Sequence, residues 1–295
     1  MDRRVMLVVV LALPLPRAGS AQAAVEALFP ASAVVAVQRL GMQEAELARV
    51  GMEDLLPGDF LIAPDTAHLE LRCPAGSETT YRLRGPFRLV IDVPREARCH
   101  INLLNGDANV LAAEPTEQTV GGVTLGSRGT QYAIVVRRDS AGPTSRVIVF
   151  DGRVQMATSS GPVVVGPGTG LTHEMRTGRN TVSRTTSDQL QRWAGLYASF
   201  DMNAARANGA PIDQYDRSYE RLQRLHYDVL SNPGDTTARV NLAKTQLGYR
   251  VSDQATFNLR RAGVTSDAQL RRWQIDPRSV PLIRRSVGGD GTIPH

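Results

Sequence analysis

The fold is decided by the stretch Val147-Ile148-Val149-Phe150-Asp151-Gly152-Arg153-Val154-Gln155-Met156. A run rich in β-branched residues precedes an Asp-Gly pair, and a run that alternates polar and apolar residues follows it, which is the pattern of a β-hairpin. Similar short runs, separated by Gly, Pro, Asn and Asp, extend outward over residues 55–172. No helical period interrupts them, which argues against a parallel sheet with crossover helices. The sequence therefore predicts a mainly β fold, as an antiparallel β-sandwich or a short β-solenoid.

The predicted strands of this region are Phe60–Ile62, His68–Cys73, Thr79–Leu83, Phe87–Val93, His100–Leu103, Ala108–Ala112, Gly122–Leu125, Thr130–Arg137, Ser145–Phe150, Arg153–Ala157 and Pro162–Val165. Gly58, Gly106 and Gly152 each stand in a similar turn-like context, about 45 to 50 residues apart. The three predicted hairpin turns indicate either duplicated β units or a chance similarity of turns.

The sequence also predicts a lead-in segment before this region and a linker after it. Residues 24–54 predict a lead-in with a strand over Ala33–Leu40, followed by a short helix or a hairpin. Residues 176–184 are polar and lack apolar periodicity, so they predict a linker between the β domain of residues 55–175 and a helical segment.

The helical segment is predicted over residues 185–285. Apolar residues recur there at helical spacing, and Ser187-Asp188-Gln189 and Thr265-Ser266-Asp267 are typical of helix starts. Ser231-Asn232-Pro233-Gly234 ends the second helix. Residues 286–295 predict a disordered tail.

The first 23 residues have the pattern of a secretory signal peptide. A basic start precedes an apolar run over residues 5–15, and Ala21-Gln22-Ala23 supplies a small-x-small cleavage site. The apolar run is shorter than the roughly 20 residues that span a bilayer. The alternative is an N-terminal core helix or membrane anchor. With cleavage, the mature chain is expected to be periplasmic or secreted and to lack a transmembrane segment.

Two cysteines, Cys73 and Cys99, fit an oxidising compartment. Each falls on the apolar face of its predicted strand, so the pair predicts either a disulfide or two buried free thiols. A disulfide would close a loop of about 26 residues and contribute on the order of 3 kcal/mol.

The net charge of +5 comes almost entirely from arginine, because Lys244 is the only lysine. Basic residues are scattered among acids instead of clustering on one face, so we expect no nucleic-acid partner.

Three stretches of the β region resemble the FecR domain of bacterial transmembrane signal regulators and exported proteins. They are Leu56-Pro57-Gly58-Asp59-Phe60-Leu61-Ile62-Ala63, Gly126-Ser127-Arg128-Gly129-Thr130-Gln131-Tyr132-Ala133-Ile134 and Val147 to Met156. The resemblance covers about residues 50–175 and implies a FecR-like β domain. In the transmembrane regulators, a membrane helix lies between an N-terminal anti-sigma segment and the FecR domain. This sequence shows no such helix, so it resembles the exported, stand-alone members of the family. The signature residues, expected to be structural, are Gly58, Asp59, Arg128, Gly129, Thr130 and Gly152.

The residues show no pattern typical of an active site. The histidines are dispersed, no metal-ligand spacing is present, and no serine has an evident histidine partner. Together with the predicted export and the FecR resemblance, this predicts a non-enzymatic binding or sensing module of the cell envelope with a signal-regulatory role. It is expected to need no cofactor or metal and to bind an envelope protein or a cell-wall polysaccharide. Two alternatives are an envelope assembly protein that docks through its basic helices, and a glycan hydrolase using two of Asp59, Asp65, Asp92 and Asp107.

Overall fold

The computed structural model describes residues 25–29, 34–48, 51–65, 67–72, 79–92, 101–112, 116–120, 123–127, 129–140, 142–158, 160–212 and 215–280. The predicted signal peptide, the predicted tail, Cys73, Cys99 and Arg128 lie outside the described residues. The disulfide and the export signal therefore stay predictions.

Sixteen strands precede five helices in this part of the chain. The strands are β1 Val25–Phe29, β2 Ala36–Gln38, β3 Glu46–Leu47, β4 Gly51–Leu55, β5 Phe60–Ala63, β6 His68–Arg72, β7 Thr79–Ile91, β8 Ile101–Ala112, β9 Thr116–Val120, β10 Val123–Ser127, β11 Thr130–Asp139, β12 Gly142–Asp151, β13 Val154–Thr158, β14 Gly161–Val165, β15 Thr169–Glu174 and β16 Arg179–Arg184. The helices are α1 Ser187–Ala207, α2 Tyr215–Ser231, α3 Thr236–Gly248, α4 Ser252–Arg261 and α5 Asp267–Arg272, followed by a 3-10 turn at Pro277–Ser279.

The strands of the described residues form one hydrogen-bonded network, and among them only the single bridge between β8 and β9 is parallel. One path through it runs β14-β13-β10-β9-β8-β11-β12-β15-β16, and β7 joins β8 to β5 and β6. The prediction of a mainly β, antiparallel fold followed by helices is confirmed.

The predicted hairpin turn at Gly106 is wrong. β7 and β8 are single long strands, each covering two predicted strands, and their register shifts between Arg84 and Arg88. Gly106 lies inside β8 with a φ of +127°, and a Cβ there would lie 2.6 Å from Cβ of Phe87. Gly106 therefore permits the irregular pairing of β7 with β8. Gly58 and Gly152, by contrast, lie in the turns that precede β5 and β13.

The predicted linker over residues 176–184 is also wrong, because β16 occupies most of it and pairs with β15. This strand has a neighbour on one side only, and most of its side chains are exposed. An edge strand open to solvent on both faces has no apolar alternation, which explains the misleading sequence pattern. The predicted lead-in likewise belongs to the sheet, since β1 pairs with β6, and β2 pairs with both β3 and β5. Of the two alternatives for the segment after β2, the hairpin is the one that forms.

α1 and α5 begin at the helix starts that the sequence predicts. Thr186 and Gln189 form a capping box at the start of α1, and Ser266 and Gln269 form another at α5. Such caps satisfy backbone N–H groups that have no partner inside the helix, and each stabilises by about 1 kcal/mol. Within the described residues, no helix is long and apolar enough to cross a membrane.

Apolar side chains form a main core and three smaller clusters. The main core unites strands from β1 to β15. In a second cluster, Trp193, Tyr197 and Phe200 of α1 pack on Ile148 and Phe150 of β12. The other two clusters lie among the helices. The aromatic stripe of α1 is thus a packing face, and it fixes the helices on the sheet.

Candidate functional site

A chain of buried polar side chains runs through the interface between the sheet and the helices. Its first member is Arg82 of β7, which is only 2% exposed. The Arg82 guanidinium donates through Nε to Glu70 Oε2 at 3.2 Å and through Nη1 to Asp201 Oδ1 at 3.1 Å. Glu70 belongs to β6 and Asp201 to α1. One arginine therefore joins a strand acid to a helix acid.

Asp201 is completely buried and is held by donors on both carboxylate oxygens. Besides Arg82, its partners are His226 Nε2 and Gln246 Nε2, each 2.7 Å from Oδ2. Burial by itself would raise the pKa of Asp201. The charges of His226 and Arg82, with the hydrogen bonds from His226 and Gln246, outweigh burial and lower that pKa below its ordinary value. Asp201 is therefore held as a carboxylate.

The buried polar chain continues from Gln246 to Asp151 at the end of β12. Asn258 Nδ2 donates to Gln246 Oε1 at 3.0 Å, and Arg239 Nη1 donates to Asn258 Oδ1 at 3.4 Å. Arg239 Nη2 then donates to Asp151 Oδ2 at 2.8 Å. Burial lowers the pKa of Arg239, while Asp151 acts in the opposite direction. Arg261 of α4 also binds Asp151, with its Nη2 at 2.7 Å.

Two parts of the FecR-like signature meet beside Asp151. Gly152 has a φ of +80°, and a Cβ there would lie 2.8 Å from the carbonyl oxygen of Gly129. Thr130 is fully buried and donates through its hydroxyl to the carbonyl oxygen of Arg153 at 3.2 Å. The signature residues 129, 130 and 152 thus pack together, directly next to the acid that binds the helices.

The signature residue Asp59 lies elsewhere, in the turn before β5. Its buried carboxylate accepts the backbone N–H of Leu56 at 2.9 Å and the guanidinium of Arg39. Arg39 also pairs with Glu53 and donates to the backbone carbonyl of Asp54 at 3.1 Å. Asp59 therefore fixes the segment just after β2 against the turn.

Asp59, Asp65, Asp92 and Asp107, which were considered for glycan hydrolysis, line neither the small cavity along the buried polar chain nor the larger groove on α2 and α3. Asp59 binds Arg39, and Asp107 pairs with Arg137 and Arg192. Asp65 and Asp92 are exposed. In the described ranges, no three His, Cys, Asp or Glu side chains are placed to hold a metal ion.

A small cavity of about 10 Å³ lies along the buried polar chain. Arg82, Asn109, Tyr197 and Gln246 are among its lining residues. A cavity of this volume holds at most about one water molecule. This cavity therefore has no room for a substrate.

A larger groove of about 420 Å³ opens on the outer face of α2 and α3. We call it the basic groove, and it is lined by Arg221, Leu225, Asn241, Lys244, Thr245, Gly248 and Tyr249. No acid lines it. In the described part of the chain, neither Arg221 nor Lys244 has a carboxylate partner.

An exposed apolar surface lies on and beside the β2–β3 hairpin. Seven large apolar side chains are exposed in the described residues, and five of them fall within residues 34–56. We call these five the hairpin patch: Val34, Leu40, Met42, Leu47 and Leu56. Leu40 is 75% exposed and packs beside Gly58, where a Cβ would lie 2.9 Å from its Cδ2.

Sequence reasoning missed the buried polar chain and the hairpin patch. One signal was present in α2, where His226 falls on the apolar stripe. A polar residue on the apolar face of a helix is typical of a buried hydrogen-bonded site. No comparable signal marks Arg82, whose partner Asp201 lies 119 residues away.

Comparison with known proteins gives a weak structural match. No family model and no curated protein matches the chain, so the FecR likeness stays a resemblance of sequence motifs. Two crystal structures of a "putative anti-sigma factor" from Parabacteroides distasonis ATCC 8503 are similar, each with a TM-score of 0.39 and 12% identity. Each match covers 46% of this chain and 64% or 63% of the other, which is less than two thirds of its length.

Proposed function

We propose that the chain is a non-enzymatic binding and sensing module of the cell envelope, which recognises a protein partner through the hairpin patch. The observation that carries the proposal is the concentration of five of seven exposed large apolar side chains within residues 34–56. Exposed apolar side chains that are concentrated in one segment point to an interaction site, whereas scattered ones need no explanation. The predicted signal peptide and the FecR-like motifs are the reasons for proposing the envelope location and the sensing role.

The chemistry of the hairpin patch favours a protein over a polysaccharide. Its members are aliphatic or Met, without the aromatic rings that sugars stack on. Glu44, Glu46 and Asp54 are exposed beside it, and none of them has an ion-pair partner in the described residues. Because interfaces match charge to opposite charge, the partner surface is expected to be apolar and bordered by Arg or Lys.

The hairpin patch is also held in place before binding. Arg39 connects the segment after β2 to Glu53 and Asp59, and Ala36 pairs with Leu47 across the hairpin. A surface ordered in advance loses less conformational entropy on association. The non-enzymatic part of the proposal is supported by the small cavity along the buried polar chain, which holds at most about one water molecule.

Site-specific photo-cross-linking in the envelope tests the proposal. A photoreactive residue at Met42 is expected to give one defined protein adduct, which Leu40→Asp combined with Leu47→Asp removes. The matched control carries the photoreactive residue at Val182, which is 63% exposed on β16. A Met42 adduct that survives the two substitutions, or equal labelling from Val182, would overturn the proposal.

A further inference from the structure

The basic groove has the chemistry to bind an acidic, partly apolar peptide segment. Arg221 and Lys244 supply positive charge, and Leu225 and Tyr249 supply apolar surface. Lys244 is the only lysine of a chain that has 34 basic residues, and it is half-buried in this groove without an acidic partner in the described ranges. A half-buried cation without a carboxylate is partly desolvated, so a ligand carboxylate there gains more than it would at a fully exposed site.

The same chain carries a segment that matches this groove. Residues Met42-Gln43-Glu44-Ala45-Glu46-Leu47 form the exposed end of the β2–β3 hairpin. Two carboxylates, on Glu44 and Glu46, stand between the apolar side chains of Met42 and Leu47. All four of these side chains are exposed. The segment thus presents two negative charges and two apolar groups to a groove with two positive charges and two apolar groups.

We propose that the hairpin end of one copy of this chain docks into the basic groove of a second copy. The inference rests on the proposed function and names the partner of the hairpin patch. The hairpin and the groove are different surfaces, so the contact is heterologous, and repeating it gives a head-to-tail series of subunits. A single hairpin end buries less than a standard interface of about 1,600 Å². The association is therefore weak, and salt weakens it further because its charges lie near the surface.

Charge reversal on the two surfaces provides the test, read by sedimentation velocity of the full mature chain across a concentration series at low salt. The native chain is expected to show a rising sedimentation coefficient with concentration, and added salt reverses this rise. Arg221→Glu with Lys244→Glu makes the groove acidic, and Glu44→Lys with Glu46→Lys makes the hairpin basic. Each double variant alone is expected to remain monomeric.

An equimolar mixture of the two double variants is expected to associate again. In the mixture, the acidic hairpin of one variant meets the native basic groove of the other, and the two reversed surfaces also match. The control is Arg179→Glu with Arg184→Glu on the exposed edge of β16, which lowers the net charge by the same amount as the groove variant does. This control is expected to associate as the native chain does. Unchanged thermal midpoints show that all variants are folded.

Three results would overturn the inference: a native chain that is monomeric at every concentration, association that survives either double variant, or a mixture that stays monomeric. These results leave the proposed function testable on its own. If a hairpin-dependent adduct to a different protein forms at Met42 while the purified chain stays monomeric, self-association is wrong and the binding role of the hairpin patch stands. If no hairpin-dependent adduct forms in the envelope, the proposed function fails as well.

Discussion

Arg239 of α3 donates to Asp151 at the end of β12, with 2.8 Å between Nη2 and Oδ2, although 88 residues separate them in the chain. Arg239 is 1% exposed and Asp151 is 8% exposed. This pair connects the strand that carries the FecR-like signature to the helices. Removing one partner of a buried pair leaves the other charge uncompensated, which is the costly way to break it.

We expect Asp151→Asn to lower the free energy of unfolding by about 3–5 kcal/mol, because Arg239 and Arg261 then lose their shared acid. Denaturant titration measures the change. The matched control is Asp267→Asn, which removes an exposed acid 4.0 Å from Arg271 one helical turn away. Its cost is expected to be below about 0.5 kcal/mol. Equal costs for both substitutions would show that Asp151 contributes no more than a surface acid.

The lowered pKa of Asp201 predicts a loss of stability in acid. A carboxylate whose pKa is lower in the folded state stabilises the fold above its ordinary pKa, here 3.8, and loses that contribution as the pH falls through the folded value. We therefore expect no loss from this group between neutral pH and about 4, and a steep loss below pH 3.8. Denaturant titrations at several pH values measure it.

Asp201→Asn serves as the comparison for this pH dependence. It is expected to cost about 3–5 kcal/mol at pH 7, since His226 and Arg82 lose their buried acid. It should also flatten the stability curve below pH 3.8, the ordinary pKa of the group it removes. The same acid slope in the variant and the native chain would assign that slope to other carboxylates.

Gly152→Ala tests the contact between the two parts of the signature. The substitution places a Cβ 2.8 Å from the Gly129 carbonyl oxygen at a φ of +80°, so we expect a loss of about 1–3 kcal/mol. The matched control is Gly126→Ala in β10, where a Cβ meets nothing within 4 Å. That control is expected to be neutral or to stabilise by up to about 1 kcal/mol, because glycine is unfavourable inside a strand. Thermal unfolding of both variants measures the two changes in stability.

Arg39→Gln tests how the hairpin is held. Arg39 is about one-third exposed, and it joins Glu53 to Asp59. Allowing for solvent screening, we expect the free energy of local opening of the hairpin to fall by about 1 kcal/mol. Hydrogen exchange should therefore become faster across β2 and β3 and stay unchanged in α1. Faster exchange throughout the chain would instead indicate a general loss of stability.

The local features of the fold could be predicted from sequence because short-range interactions determine them. The capping boxes at Thr186 and Ser266 each involve a residue only three positions away. The hairpin at Gly152 likewise follows from an Asp-Gly pair between apolar runs. Most helix starts and most strands could therefore be predicted from the sequence.

The errors and omissions arise where distant residues decide the outcome. Gly106 resembles a turn glycine, but its role comes from the approach of Phe87 on the neighbouring strand. The polar residues of β16 look like a linker because an edge strand has no buried face. The buried polar chain could not be predicted from the sequence, because no local pattern relates residues such as Arg82 and Asp201.

The packing of α1 on β12 determines how this protein should be dissected. Phe150 of β12 and Tyr197 of α1 meet edge to face, with ring centroids 6.2 Å apart. A fragment that stops at Arg184 would expose Ile148 and Phe150 to solvent, and it would lack both arginine partners of Asp151. Such a fragment is expected to precipitate, so truncation cannot separate the roles of strands and helices. Point substitutions in the intact polypeptide are the suitable tool.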